Sequence, residues 1–386
     1  MFKFQISSPE SKRKTVHLIM GVFCLTLPWI FSKSWPVDLL ALISLVILFA
    51  IRNFKPALGQ ILHSVERLSF GELLFPVGVT IVFRLADGDL SLYLPAIAIL
   101  TFADAAGALI GKRYGKHLYR TNAGQKSLEG SLAVFLVSFF IILFAGISDD
   151  PLTAFLIALV VALVASMAEG ILAAGIDNLI LPLTVAGLIY FLRELTWNEL
   201  VLRLILFSGS GLFLFIIRRL TSLNGGGLLS ATLFAYLSFA LGGPHFLIAP
   251  VLLLFIHLLT NWRYPELSQM EHSADCISAI ALPALFWVVL KTNSGLPDET
   301  CFHGFTLTLM AQAAFLHSAT RKHLDLANGL FIGALKISAL ALTSYQWWFT
   351  PIALVILIAS LPFTRNLKRP EQAVLACLFS TLALLP

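Results

Sequence analysis

The sequence predicts an all-α fold: a polytopic transmembrane bundle of roughly fifteen helices in two lobes. Three observations predict it. Hydrophobic residues make up 58% of the 386 and charged residues only 12%, where a soluble chain carries about 25% charged residues. Mean hydropathy is +0.88. Apolar runs long enough to span a bilayer recur from end to end, and the loops between them alternate between basic and acidic. No repeating alternation of the kind a membrane barrel shows is present.

The runs lie at about 15–31, 36–51, 72–85, 92–111, 129–146, 152–174, 179–192, 199–217, 226–241, 246–261, 275–290, 304–319, 326–343, 348–363 and 372–386. The first follows Lys12, Arg13 and Lys14, and no small-x-small cleavage pattern comes after it, so it reads as a retained span rather than a signal peptide. Those at 72–85 and 179–192 are short, which suits a re-entrant or tilted segment. Arg52, Lys55 and Arg67 follow the second run. Lys112, Arg113, Lys116, Arg120 and Lys126 follow the fourth, Arg218 and Arg219 the eighth, Arg321 and Lys322 the twelfth, and Arg365, Lys368 and Arg369 the fourteenth. Asp87 and Asp89, Asp149 and Asp150, and Asp298 and Glu299 occupy loops between them. The positive-inside rule then predicts an integral, multi-pass protein of a bacterial inner membrane or its equivalent. Its N-terminus and basic loops are cytoplasmic, and the odd number of spans puts Pro386 outside. The net charge of +5 is a topology signal and not a sign of nucleic acid.

Polar, site-like residues concentrate before about residue 192. Residues 1–195 therefore read as one membrane domain, 196–225 as a join, and 226–386 as a second membrane lobe. Cys24, Cys276, Cys301 and Cys377 are far apart in sequence, so they read as small buried hydrophobes with no metal or disulfide framework.

Charge inside an apolar helix marks a functional site by default. Asp104 sits about seven residues inside the basic end of its run, roughly 10 Å deep at 1.5 Å per residue. Glu169 lies at a similar depth in its own run, and Asp177 and Asn178 follow in a short turn. Three carboxylates at one level beside five basic residues suit a hard cation such as Mg²⁺, held by carboxylates plus substrate phosphates. The plainer reading pairs Asp104 and Glu169 with Lys or Arg between helices. Ala103, Gly107, Gly111 and Gly115 recur every fourth residue, which predicts close helix packing beside Asp104.

Lys126-Ser127-Leu128-Glu129-Gly130-Ser131 opens the fifth run. Backbone amides at a helix start favour an anion, and Lys126 and Ser127 add donors; the plain alternative is helix capping. Gly124-Gln-Lys-Ser lacks the P-loop spacing, and no strand is expected before it. Lys112, Arg113 and Lys116 would steer an anionic nucleotide. Arg13 and His17, one helical turn apart, read as interfacial anchors, and Glu72 opens the third run. The remaining histidines show no ligand spacing.

At these residues the sequence resembles a known family. Asp104 to Gly115 followed by Lys126-Ser-Leu-Glu-Gly-Ser131, then Glu169-Gly-Ile-Leu-Ala-Ala-Gly-Ile-Asp177-Asn178-Leu-Ile-Leu-Pro182, resemble the motifs of the dolichol kinase and phytol kinase family. Arg13-Lys14-x-x-His17 and Phe70-Gly71-Glu72-x-x-x-Pro76 fit it too, so the resemblance covers about residues 10–195. The family consists of membrane kinases that pass a phosphate from CTP to a long isoprenoid alcohol. The resemblance implies a site at Asp104, Lys126, Glu129, Glu169, Asp177 and Asn178. Further on, Gly225-Gly-Gly-Leu-Leu-Ser230-Ala-Thr and Gly242-Gly-Pro are similar to the start of the phytyl-phosphate kinase-like membrane family, but its Asp-Thr-x-x-Ser-Glu type acidic motif is missing.

Together these readings predict a kinase that phosphorylates phytol, geranylgeraniol or a polyprenol at the cytoplasmic face. Asp104, Lys126, Glu129 and Glu169 would be catalytic. Asp104, Asp177 and Glu169 would hold Mg²⁺. Lys112, Arg113, Lys116, Lys126, Ser127, Gly130, Ser131 and Asn178 would bind CTP. The alcohol would arrive from the surrounding membrane lipids. Two rivals share the setting. A CTP-dependent lipid cytidylyltransferase would use the same nucleotide, but its Lys-Asp…Pro-Gly-His-Gly-Gly…Asp-Arg signature is absent. A transporter would share the many helices and buried acids, but the Gly and Pro breaks do not recur in matching halves.

Overall fold

The computed structural model describes residues 9–54, 71–121, 124–172, 175–263, 272–293 and 295–320. Helices dominate. First come α1 (Pro9–Leu25), α2 (Leu27–Ile30), α3 (Ser34–Phe54) and α4 (Gly71–Ala86). Next, α5 (Leu90–Ala98) runs into α6 (Asp104–Tyr114) through a π-turn at Ile99–Ala103. A hairpin, β1 (Leu118–Thr121) and β2 (Gly124–Ser127), leads into α7 (Leu128–Leu143). Then follow α8 (Pro151–Ile171), α9 (Asp177–Leu192), α10 (Trp197–Ile216), α11 (Gly225–Leu237), α12 (Ile248–Arg263), α13 (Ala274–Asn293) and α14 (Asp298–Thr320).

Among the described residues, seven helical segments are long and apolar enough to cross a membrane: Ser34–Ile51, Leu90–Tyr114, Pro151–Ile171, Trp197–Leu220, Gly225–Gly242, Pro244–Arg263 and Ala274–Lys291. α7 and α9 are shorter apolar helices. The chain is a helical membrane protein. These segments do not reach the expected total of roughly fifteen spans, and the expected runs at 326–343, 348–363 and 372–386 lie outside the described residues. The first expected run is broken. Pro28 lies in the first turn of α2, and the Phe31 N–H closes that turn on the Leu27 carbonyl at 2.8 Å.

The acids of the expected acidic loops cap helices. Asp89 accepts from Ser91 N–H at 2.9 Å at the start of α5, and Asp150 accepts from Thr153 N–H at 2.8 Å at the start of α8. Their sequence signal is an acid just ahead of an apolar run.

The purely helical reading fails at one place. Leu118 pairs with Ser127, Tyr119 with Lys126, Arg120 with Gln125 and Thr121 with Gly124, in antiparallel register. Leu, Tyr and Thr suit a strand, and Gly124 takes φ +110°, a turn conformation that disfavours a side chain. So Lys126 stands on a strand, where no strand was expected.

The chain divides into two units, residues 1–205 and 206–386. In the first, Ile97, Ile99, Leu100 and Ala103 are buried together with Val160, Val161 and Val164 of α8 and Leu181 and Ile189 of α9. α6 packs on α7 through the small-residue face. A Cβ on Gly107 would lie 2.4 Å from Val134 Cγ2, and one on Gly130 would lie 2.9 Å from the Gly107 carbonyl. In the second unit, Phe234, Phe246, Trp287, Cys301 and Phe305 form the core, and Gly304 sits directly beneath the Trp287 ring. Cys24, Cys276 and Cys301 are buried and form no disulfide, in keeping with their reading as small hydrophobes, and Cys377 lies outside the described residues.

Candidate active site

Asp104, Glu169 and Asp177 meet. One carboxylate oxygen from each lies within 4.8 Å of the other two. Asp104 opens α6 directly after the π-turn, Glu169 sits in the last turn of α8, and Asp177 opens α9. Gly175, at φ +85°, turns the chain between the last two.

Two lysines balance them. Lys14 of α1 donates to both oxygens of Asp104 at 2.6 Å, and both side chains are about 5% exposed. His17, one turn along α1, places Nε2 2.9 Å from the Leu100 carbonyl and 3.4 Å from Asp104 Oδ2. The π-turn explains the first contact. The Asp104 N–H bonds back to Ile99, one residue further than an α-helix would reach, and the Leu100 carbonyl receives the imidazole instead. Lys126 of β2 donates to Glu169 Oε1 at 2.8 Å and also to the Glu169 backbone carbonyl. Burial opposes the charge on Lys126, but the carboxylate and hydrogen bond of Glu169 outweigh it and hold the ammonium above its ordinary pKa.

Two buried carboxylate oxygens, Glu169 Oε2 and Asp177 Oδ1, have no hydrogen-bond partner. An unmet buried acceptor costs about 1–3 kcal/mol or more. A cluster of oxygen donors with two open positions fits a hard divalent cation such as Mg²⁺. Asp104 is the exception, since Lys14 already engages both its oxygens.

The carboxylates form one end of a cavity of about 1190 Å³. Lys112, Lys126, Ser127, Gly130, Ser131 and Asn178 line it as well. Ser127 caps α7 by accepting from Gly130 N–H at 3.2 Å. Ser131 Oγ meets Tyr119 Oη at 2.7 Å, and its carbonyl accepts from Ser166 at 2.8 Å. Asn178 donates to the Gly71 carbonyl at 2.8 Å, tying α9 to the start of α4.

Three expected site residues are not brought to the carboxylates. Glu129, expected to be catalytic, accepts instead from the backbone N–H groups of Lys116 and His117, and its Oε1 lies 2.8 Å from His117 Nδ1. Each helical residue turns by about 100°, so Glu129 leaves the face that its neighbour Gly130 packs on α6. It holds the loop before the hairpin. Arg113 lies over the Tyr114 ring at 5.3 Å, and Lys116 meets Glu129 through its backbone; neither lines the cavity.

Lys14 is the residue that sequence reading missed. A basic residue at the start of a span reads as an interfacial anchor, and its acidic partner is 90 residues away. The signal was its place in the Arg13-Lys14-x-x-His17 pattern, with His17 on the same helical face.

No family model matches the chain, and no solved structure matches it. A curated relative, the phytol kinase of Synechocystis sp., is 31% identical over 188 residues, covering 47% of this chain and 78% of the relative. With that identity over most of the relative's length, the chain belongs, through this part of its length, to the phytol and dolichol kinase family whose motifs it carries.

Proposed function

We propose that this protein is a membrane kinase that transfers the γ-phosphate of a nucleoside triphosphate, CTP, to a long-chain isoprenoid alcohol. The observation that carries this reading is the meeting of Asp104, Glu169 and Asp177, with two buried oxygens open, at one end of a cavity whose other walls are largely apolar. Membership of the phytol kinase family supports the acceptor class.

Phosphoryl transfer asks mainly for positioning and charge stabilisation. Asp177 through its open oxygen, and Asp104 through lone pairs not used by Lys14, would hold Mg²⁺, which when bound offsets the charge of the triphosphate; Glu169 keeps its open oxygen for the acceptor. Lys126 would meet the phosphates, with Lys112 at the margin; the amides that open α7 are already spent, Leu128 N–H on the His117 carbonyl and Gly130 N–H on Ser127 Oγ. The alcohol oxygen attacks the γ-phosphorus, the bond to the β–γ bridging oxygen breaks, and CDP leaves with that electron pair. Glu169, through its open oxygen, takes the hydroxyl proton. The multi-pass topology and the cytoplasmic placing of the N-terminus and site follow from the basic loops. Residues 1–195 form the catalytic domain, and 226–386 an accessory lobe joined through 196–225.

The test is transfer of label from CTP to lipid in proteoliposomes. Label from the γ-position on the alcohol supports the kinase. Label from the α-position on lipid would make the protein a cytidylyltransferase, and solute uptake without lipid labelling would make it a transporter.

A further inference from the structure

We infer that a groove between α1, α3 and α4 seats the isoprenoid tail, and that its closed end at Leu27 and Val37 sets the longest chain the enzyme accepts. This rests on the kinase reading above and adds a chain-length limit, with the residues that impose it.

The cavity that starts at the carboxylates continues along one face of α1. Lys14 and His17 line its polar end, and Met20, Cys24 and Leu27 continue the same face at three- and four-residue spacing. Chemistry changes along that stripe from charged to wholly apolar. Ala41 and Leu48 of α3 line the groove, as do Phe75 and Val79 of α4. Ser44 and Thr80 line it too, but their hydroxyls are spent on the Leu40 and Pro76 carbonyls of their own helices, and beyond Glu72 at the start of α4 the wall is mainly apolar, which favours a hydrocarbon chain. Val16, Met20 and Phe23 remain exposed at its rim, so a lipid can slide in sideways from the bilayer.

The far end is shut and pinned. Leu27 is 1% exposed and Val37 2%. Just beyond them the chain passes from α2 into α3 within three residues, Phe31 to Lys33. Arg84 of α4 grips Asp38 of α3 through two contacts, at 2.9 and 2.5 Å. Tyr93 of α5 donates to the Cys24 carbonyl at 2.8 Å, fixing α1 from the other side. The Arg84–Asp38 pair is exposed and adds little; the buried Leu27 and Val37 side chains and the Tyr93 bond to the Cys24 carbonyl make the floor.

Its depth can be read along α1. From Lys14 to Leu27 the chain rises about 20 Å at 1.5 Å per residue. Three extended main-chain bonds span about 3.5 Å, so the four-bond isoprene repeat spans about 4.7 Å, and the groove holds about four repeats. A twenty-carbon alcohol fills it with its hydroxyl at the level of the carboxylates. A longer polyprenol reaches the floor first: it either lifts its hydroxyl out of place or bends back out past Val16, Met20 and Phe23, and both cost it catalytic efficiency.

The experiment uses the full chain, CTP labelled in the γ-position, and linear all-trans alcohols of three, four, five and eight isoprene units. The wild type should show a fall in kcat/KM of about tenfold or more beyond four units, the scale of discrimination a filled apolar pocket gives. Leu27→Ala deepens the groove and should raise the five-unit to four-unit ratio about tenfold. Ala41→Phe fills it about 6 Å above Val37, roughly the last repeat and a quarter, and should shift preference to the three-unit alcohol while leaving KM for CTP unchanged. Equal kcat/KM for four and eight units in the wild type overturns the inference whatever the variants do. So does an unchanged length profile in both variants, each monodisperse and active. If no alcohol of any length accepts label, the kinase reading itself fails, a separate outcome.

Discussion

Replacing Lys14 with methionine keeps most of the side-chain volume and removes the charge. Asp104 is then left as a buried carboxylate with its main partner gone, since Lys14 supplied a hydrogen bond to each oxygen at 2.6 Å. Removing one member of a buried pair costs about 3–5 kcal/mol, because the remaining charge is desolvated and uncompensated. His17 at 3.4 Å from Asp104 Oδ2 can take up part of that charge, which favours the lower end. For a unit of 205 residues, each kcal/mol shifts the unfolding midpoint by about 2–4 °C, so the loss is roughly 6–20 °C. The double variant Lys14→Met with Asp104→Asn removes both charges and should recover at least about 2 kcal/mol of that loss, since neutralised pairs are often near break-even. The assay is thermal unfolding in detergent with chelator, followed by a thiol-reactive dye that reports exposure of the buried Cys24 of the same unit, with Cys276, Cys301 and Cys377 replaced by alanine in all variants. A single variant as stable as the wild type, or a double variant no more stable than Lys14→Met, would refute the reasoning: the two charges would then not be coupled in the folded protein.

Other outcomes follow from the same geometry. Mg²⁺ at a hundredfold excess over its dissociation constant should stabilise the wild type by about 2.7 kcal/mol. Asp177→Asn, which removes an open buried oxygen, should lose that stabilisation in a thermal-shift titration together with γ-label transfer. Gly107→Ala places a methyl group 2.4 Å from Val134 Cγ2 and should cost about 1–3 kcal/mol; adding Val134→Ala should relieve it, and an additive loss would show that the two helices do not touch there. The pKa of Lys126 is raised above its ordinary 10.5, so the stability it contributes is complete below that value and is lost only as pH climbs through the raised one. Lys126→Met should therefore destabilise at about pH 9, still below the ordinary lysine value, and a variant as stable as the wild type there would contradict the Glu169 pairing. A chain ending at Arg219 should keep part of the γ-label transfer, because the carboxylates and Lys126 all precede it; a monodisperse but inactive truncation would show that the later lobe contributes to the reaction.

Much of the fold was legible because apolarity is a long-range, redundant signal. Runs of apolar residues placed the described helices to within a few residues, and the acids ahead of α5 and α8 marked their caps. The meeting of Asp104, Glu169 and Asp177 was legible for a related reason: a carboxylate in an apolar run has to be accommodated, and three at one depth can share a solution. What failed depended on partners distant in sequence or on a single dihedral. Lys14 looked like an anchor until Asp104 was seen above it. Glu129 reads as part of the site from its place in the Lys126–Ser131 motif, but one step of helical rotation sends it to the loop, onto the Lys116 and His117 amides. The hairpin rests on a turn at Gly124 and two four-residue strands, too short for any alternation to stand out. The pinned groove is formed by three helices together, and none of their sequences shows it alone.

The π-turn at Ile99–Ala103 has a further consequence for the span that contains it. A single helical wheel drawn over Leu90–Tyr114 treats the whole segment as one continuous phase. The extra residue in the turn resets that phase by about 100°, so the segment is two wheels joined at a fault. Before the fault, Leu92, Ala96 and Ile97 point into the protein. After it, Asp104 and Gly107 do so, on a new bearing toward Lys14 and α7. One span therefore serves two masters: its first half packs as an ordinary membrane helix, and its second half is aimed at the carboxylate cluster. Alignments or designs that keep the residues but lose the fault would preserve the composition of the span and rotate its acid toward the lipid.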